Sequence, residues 1–290
     1  MSTHILTADI GGSHITAAVF DSETDSLITQ TITRGELRSK SSAEKITKVW
    51  EDTVKSAIER SPYPVTGMGI AMPGPFDYIN GISYITGLHK YEALYAMNVK
   101  QYFSELLELP VTSIKFRNDA EAAIAGEVHA GSGIGFENIL GLTLGTGFGS
   151  AQFLDGITTD LNLGSEPFKD SIADDYLSSR WFIKRYHQLT GISASGVKEL
   201  AEFAKRPNSA AKQVFVEFAD NMSLFLMQWI ERLNPQAIIF SGNIAHSSEH
   251  FLPAFSKRVN PITIKLAKLG ESAALIGAAN QFNDQVKYQL

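Results

Sequence analysis

Apolar positions fall into short runs near the start of the chain and into longer, helically spaced faces further on. Residues 5–10 and 15–20 are apolar runs separated by Gly11-Gly12, and residues 27–33 are β-branched after a polar stretch at 21–26. This spacing predicts three strands joined by tight turns. Ser41-Ser42-Ala43-Glu44 predicts a helix start with a capping box. Ile46, Val49, Trp50, Val54, Ala57 and Ile58 then share one helical face. A buried-type strand is expected at 65–72, ended by Pro73-Gly74-Pro75, then an amphipathic helix at 99–109 and a strand at 111–116. The order βββαβαβ suits a mixed sheet flanked by helices.

After Asn118-Asp119 a helix of small residues is expected to about His129, and then the pattern restarts. Strands are predicted at 139–144 and 150–154 around a glycine-rich turn, helices at 170–188, 197–205 and 210–233, and a strand at 237–240. A final strand at 262–266 and a small-residue helix at 272–282 complete the list of elements. The segment 12–20 aligns with 145–153, five of nine positions being identical or close (Gly/Gly, Ser/Thr, Ala/Ser, Ala/Ala, Phe/Phe). Each copy is strand, Gly-hydroxyl turn, strand, which reads as two similar lobes that each offer such a turn at one cleft. The aromatic run Phe215, Phe218, Phe225 and Trp229 reads as core rather than as a stacking platform.

Composition narrows the chemistry. The 290 residues include no cysteine, which excludes disulfides, thiol nucleophiles, iron–sulfur clusters and Cys-ligated zinc. Lys and Arg number 25 against 31 Asp and Glu, a net charge of -6 without a basic run, which argues against nucleic-acid binding. The opening residues lack a charged n-region and a long apolar core, and no apolar stretch approaches a membrane span. A cytoplasmic protein with no membrane contact is expected. The seven histidines show no metal-ligand spacing, and no Gly-x-Ser-x-Gly elbow is present.

Four segments could carry chemistry. In Asp9-Ile10-Gly11-Gly12-Ser13 a strand delivers a carboxylate into a turn with bare backbone N–H groups. Phosphate oxygens could approach it, Ser13 would add a donor, and Asp9 could hold Mg²⁺. Read alone it is equally an ordinary hairpin. Gly145-Thr146-Gly147-Phe148-Gly149 is a second such turn, matching neither the Walker A pattern nor a dinucleotide fingerprint. Two such turns in equivalent places favour a nucleotide polyphosphate site. Asp119 reads either as a helix N-cap or as a general base that takes a hydroxyl proton in phosphoryl transfer. Gly242 and Asn243 follow a buried strand, where an adenosine could lie flat on the backbone, or where a simple β–α turn could stand.

Together these segments resemble the ROK family (repressor, open reading frame, kinase) of sugar kinases. The resemblance rests on Asp9-Ile10-Gly11-Gly12-Ser13, Ala71-Met72-Pro73-Gly74-Pro75, Asn118-Asp119-Ala120 with Ala122-Ala123 and Gly126-Glu127, Leu144 to Gly149, and Ala273 to Ala279. It implies an α/β fold of two actin-like (ribonuclease H-like) lobes, with mixed sheets and flanking helices around a central cleft. The lobes would be 1–117, completed by 272–290, and 118–271. It implies ATP-dependent phosphorylation of a hexose or amino-/N-acyl-hexose, at the C6 hydroxyl, with Asp119 as base. Asp9 would act on Mg²⁺–ATP. Gly11, Gly12, Ser13, Gly145, Thr146, Gly147, Gly242 and Asn243 would bind the nucleotide, and Gly74, His89, Asn118, Asp119, Glu166 and Asp174 the sugar. A homodimer is the assembly it suggests.

The chain departs from the pattern between the second turn and the large helix. Many members carry a histidine and a three-cysteine zinc site there, whereas residues 162–172 hold neither Cys nor His. The resemblance therefore implies a zinc-less variant, with Asp174 in place of the usual sugar-binding Glu and Glu166 as a compensating carboxylate. A sugar-sensing regulator without a DNA-binding segment, a pseudo-kinase and an ATP hydrolase on the same fold are the alternatives.

Overall fold

The computed structural model describes residues 3–87, 91–207, 209–259 and 261–282. They form two compact units, one holding the chain up to Ala130 together with the chain from Glu271 on, the other Gly131–Gly270.

Unit 1 runs β1 (His4–Ile10), β2 (His14–Asp21), β3 (Ser26–Leu27), β4 (Thr33–Glu36), α1 (Ala43–Glu59), β5 (Gly67–Met72), a small hairpin of β6 (Phe76–Asp77) and β7 (Ile82–Ser83), α2 (Val99–Leu107), β8 (Ile114–Asn118) and α3 (Asp119–Ala130). The C-terminal helix Ser272–Asn280 completes it. The main sheet has the order β3-β2-β1-β5-β8, with β4 also beside β2. β1 is antiparallel to β2 and parallel to β5, which is parallel to β8. Period-2 alternation assigns the two faces. Leu6, Ala8 and Ile10 of β1, with Ile15, Ala17 and Val19 of β2, enter a core with Trp50 and Val54 of α1 and Phe103 of α2. The other face meets α3 and the C-terminal helix through small residues: Ala71, Ala122, Ala274 and Ala278 cluster there, and the Thr7 hydroxyl donates to the Leu275 carbonyl at 2.6 Å.

Unit 2 repeats the plan. Its elements are β9 (Asn138–Leu144), β10 (Phe148–Leu154), β11 (Ile157–Asp160), a short hairpin of β12 (Pro167–Phe168) and β13 (Ser171–Ile172), α4 (Asp174–Leu177), α5 (Ser179–Thr190), α6 (Val197–Ala204), α7 (Ala210–Leu233), β14 (Ala237–Ser241), α8 (Leu252–Val259) and β15 (Thr263–Leu266). The sheet order is β11-β10-β9-β14-β15. β9 is antiparallel to β10 and parallel to β14, which is parallel to β15. Strand for strand this is the order of β2-β1-β5-β8, so the weak repeat between 12–20 and 145–153 falls on equivalent hairpins. Phe215, Phe218 and Phe225 are buried in the core of this unit and Trp229 packs against it, as the aromatic pattern predicts. Among the described residues no helix is long and apolar enough to cross a membrane.

Four expectations are corrected. The unit boundary lies after Ala130 rather than after residue 117, because α3 is welded to the C-terminal helix. A Cβ on Gly126 would lie 2.0 Å from the Ala273 carbonyl oxygen, and one on Gly277 1.9 Å from that of Ala122. The strand at 27–33 is broken by a 3₁₀ turn, Thr29–Thr31. There the Thr31 hydroxyl donates to the Ile28 carbonyl at 2.6 Å and accepts from the Val19 N–H at 2.8 Å, offering the backbone an alternative to the ladder. The Ser42 side chain makes no cap bond to α1. The helix at 170–188 is two helices, interrupted at Ser178, whose backbone is extended.

Candidate functional site

Three parallel strands of unit 1 end at one edge. The register pairs Asp9 with Ala71 and Met72 with Asn118, so Asp9, the Pro73-Gly74 turn and Asn118-Asp119 share the carboxyl edge of the sheet. In open α/β sheets that edge is where ligands bind, because strands stop there and expose loop backbone and helix N-termini. Beyond Asp9 the chain turns at Gly11, whose N–H donates to the His14 carbonyl at 2.9 Å. A Cβ on Gly12 would meet nothing within 4 Å. The turn therefore presents bare, accessible backbone to an anion. Ser13 is exposed beside it, its hydroxyl 3.1 Å from His14 Nδ1.

Asp9 is the most perturbed acid here. Its pKa is pushed up to about 7, first by burial, then by the negative charges of Asp119 and Glu271, against the opposing pull of Arg34. Arg34 is held by Glu271, donating to its two carboxylate oxygens at 2.9 and 2.8 Å. Burial and the Arg34 charge lower the pKa of His14. An acid that is costly to ionise in the free protein suits a place where a cation arrives, since a divalent ion takes oxygen donors and offsets the repulsion. Among the described residues no group of three or more His, Asp or Glu could hold a metal ion.

Asp119 opens α3. The N-cap role is largely filled by its neighbour: Asn118 Oδ1 accepts from the Ala120 N–H at 2.9 Å and the Glu121 N–H at 3.3 Å. One Asp119 oxygen accepts from the Ala120 N–H at 2.8 Å. Asn118 Nδ2 donates to the Tyr78 hydroxyl at 3.1 Å, and that hydroxyl donates to the Met72 carbonyl at 3.1 Å. Tyr78 thus ties β5 to β8 just below Gly74, where a Cβ would stand 3.3 Å from the same hydroxyl. Tyr91 is buried, and its hydroxyl donates to the Gly11 carbonyl. Burial and the Asp9 charge raise its pKa, so it stays protonated as a donor that clamps the first turn. Sequence reasoning missed both tyrosines as site residues. His89 lies outside the described residues.

In unit 2 the turn between β9 and β10 is Gly145-Thr146-Gly147, closed by the Gly145 N–H donating to the Gly147 carbonyl at 3.0 Å. Three contacts brace it from α4 and α5. The Asp174 carboxylate accepts from the Phe148 N–H at 2.6 Å. The Ser179 N–H donates to the Gly145 carbonyl at 2.8 Å, and Arg180 donates to the Thr146 carbonyl at 2.8 Å. Asp174 and Arg180 are themselves an ion pair. Asp174, expected as a sugar contact, is thus engaged with the second turn. Glu166 is exposed, just after a 3₁₀ turn at Leu163–Ser165. Gly242 adjoins the glycine turn at the end of β14, with φ +87 and room for no Cβ, which would come 2.5 Å from the Leu144 carbonyl oxygen. Asn243 follows, exposed.

The ROK family profile matches residues 5–164 and 171–285. The match lapses over the short segment that holds Glu166. A glucokinase from Thermotoga maritima is 23% identical over 97% of this chain and 98% of its own length. An N-acetyl-D-glucosamine kinase from Pasteurella multocida is 27% identical over 94% of this chain and 97% of its own. The crystal structure of a ROK family glucokinase from Streptomyces griseus, in complex with glucose and AMPPNP, aligns with a TM-score of 0.76 over 97% of this chain and 99% of that one, at 22% identity. The shared fold is the actin-like fold of the ROK sugar kinases, and its duplicated plan is the one seen in the two sheets. With glycine turns in equivalent hairpins and a family match over nearly its whole length, the chain belongs to the ROK family.

Proposed function

We propose that the protein is an ATP-dependent sugar kinase that transfers the γ-phosphoryl group of ATP to the C6 hydroxyl of a hexose or amino-/N-acyl-hexose in the cytoplasm. The observation that carries the reading is the pair of carboxylates at one sheet edge. Asp119 is close enough to Asp9 for its charge to raise the pKa there, and Asp9 leads into a bare glycine turn. The kinase relatives support the phosphoryl-transfer chemistry and the sugar class.

In this reading Asp119 accepts the proton of the sugar hydroxyl as its oxygen attacks the γ-phosphorus. The new O–P bond forms while the bond to the β-phosphate oxygen breaks and ADP leaves. Asn118 and the backbone at Gly74 bind neighbouring sugar hydroxyls, with Asn118 oriented by Tyr78. The turns at Gly11-Gly12-Ser13 and Gly145-Thr146-Gly147 hold phosphate oxygens, and Gly242-Asn243 hold the nucleoside. Mg²⁺ carried on ATP offsets polyphosphate charge beside Asp9. Zinc has no place in the scheme.

An ADP-release assay across a panel of glucose, mannose, N-acetylglucosamine, N-acetylmannosamine and glucosamine tests it. Release that depends on one sugar is the expected result. Sugar binding without ADP release would identify a sensor or a pseudo-kinase, and sugar-independent release an ATP hydrolase.

A further inference from the structure

Two residues of unit 2 depart from what their own elements favour, and they meet. Lys169 stands in the two-residue turn of the β12–β13 hairpin, where Phe168 pairs with Ser171. Its φ is +55, a left-handed backbone that strains most residues with a Cβ and that glycine or asparagine adopts readily. Lys169 is exposed, so core packing does not call for a lysine there. Asn221 is the converse case. It lies in the middle of α7 and is 5% exposed. Phe218 and Phe225, both buried in the core, stand three residues before it and four after it, on the same helical face. A buried amide in apolar surroundings opposes folding unless it is hydrogen-bonded.

The two exceptions are one contact. The Lys169 ammonium donates to Asn221 Oδ1 at 2.5 Å. It also lies 5.3 Å from the centre of the Phe168 ring and 5.0 Å from that of Tyr176, within reach of cation–π attraction. Both ring partners lead to the second glycine turn. Phe168 packs against Phe225, whose ring stands against Phe148, the residue that follows the turn. Tyr176 comes two residues after Asp174, whose carboxylate accepts from the Phe148 N–H at 2.6 Å. The short stretch from Lys169 to Asp174 thus runs between a charged anchor on α7 and a carboxylate on the turn. Lys169 also falls within 165–170, where the family profile lapses. Local preferences broken at both ends of one contact point to a role beyond the hairpin itself.

We propose that Lys169 is a positioning residue for the nucleotide. Anchored on Asn221, it holds residues 167–176 against α7 and so keeps the Asp174 carboxylate on the Phe148 N–H. The Gly145-Thr146-Gly147 turn then keeps the backbone shape that receives phosphate oxygens. Without the ammonium the segment retains its ring contacts but loses its charge-assisted tie, and Asp174 is held less firmly on the turn. The inference rests on the reading of the second turn as a phosphate site, and it adds two residues, Lys169 and Asn221, that none of the glycine motifs contains.

The test titrates Mg²⁺–AMPPNP calorimetrically into the parent chain, Lys169→Met, Lys169→Gly and Lys169→Arg, and into Asp174→Ala with and without Lys169→Met. Lys169→Met should bind roughly 10-fold more weakly. Lys169→Arg keeps the charge and the ring contacts and should recover most of the loss. Lys169→Gly relaxes the turn backbone yet should match Lys169→Met, because it too lacks the ammonium. Checked by circular dichroism, it also serves if the methionine variant does not fold. In the Asp174→Ala background Lys169→Met should cause no further loss, since its effect passes through that carboxylate. Parent-like affinity in Lys169→Gly or in folded Lys169→Met overturns the inference. So do additive losses in the double variant, which would mark a general packing effect. If the parent chain itself does not bind Mg²⁺–AMPPNP, the nucleotide reading fails and the inference falls with it.

Discussion

Asp119 and Asp9 stand at the same sheet edge, yet their surroundings suit them to opposite tasks. Asp119 is anchored at the start of a helix by one oxygen, with Asn118 beside it performing the cap. Replacing it with Asn keeps shape and hydrogen bonding but removes the proton acceptor. Asp119→Asn should lower kcat by about 10²–10⁴-fold while the sugar Kd changes little. Sugar titration beside turnover checks this, and near-normal turnover would end the assignment. Asp9 makes a prediction about stability. Its folded-state pKa is about 7 against an ordinary value of 3.8, so the native state holds the proton more tightly than the unfolded chain. The stability this group contributes is complete below about pH 4 and is lost as pH rises through 7. Without nucleotide, Asp9→Asn should be more stable than the parent at pH 8 by a few kcal/mol, up to about 4, with the difference shrinking toward pH 5. Urea unfolding at both pH values measures it, and a pH-independent difference would contradict the assignment. Both acids were legible in the sequence because each ends an apolar run and precedes small residues. Tyr78 and Tyr91 were not: the Tyr91 contact to Gly11 spans 80 residues of sequence, and no local pattern encodes it.

At the level of elements, the glycine turns are held by different means. The first is clamped by the hydroxyl of the buried Tyr91, the second by contacts from α4 and α5. Breaking the second brace should loosen the turn without touching a sugar. Arg180→Ala is expected to raise KM for ATP by about 10-fold, the loss of one or two charge-assisted contacts, and to leave the sugar KM within about 2-fold. A matching rise in both KM values would place Arg180 elsewhere in the cycle. The seam between α3 and the C-terminal helix makes a stability prediction. The atoms a new Cβ would meet at Gly277 belong to backbone at Ala122 and Gly126, which cannot rotate away. Gly277→Ala should destabilise by about 2–3 kcal/mol despite the better helix propensity of Ala, and denaturant titration would show it. Small residues at 120–126 and 273–279 are plain in the sequence, but composition cannot say that they face each other. That pairing is why the unit boundary was misplaced by a whole helix. The broken strand at 27–33 was illegible for a similar reason, since the Thr31 hydroxyl takes its partner from β2.

At the scale of the whole molecule, the duplicated plan was faint in sequence and plain in topology. Only the hairpin around each glycine turn kept a residue-level trace, because the turns require glycine and hydroxyl. The buried parallel strands β5 and β14 need only small or apolar residues, which many sequences satisfy, and the outer strands β8 and β15 differ in sequence and burial. The same topology divides the apolar interior in two. Every residue of the core around Trp50 and Phe103 belongs to unit 1, and every residue of the core around Phe182 and Phe218 to unit 2. Each unit thus has its own cooperative interior, and two-state behaviour is not expected of the full chain. Calorimetry without ligands should give a calorimetric enthalpy larger than the van't Hoff value. Phe218 is fully buried and packs against the rings of Trp181, Phe182 and Phe251, so Phe218→Ala should cost about 3–5 kcal/mol and lower one component. Gly277→Ala should lower the other. If both substitutions shift a single transition equally, the two interiors unfold as one unit and the division read from their cores has no energetic counterpart.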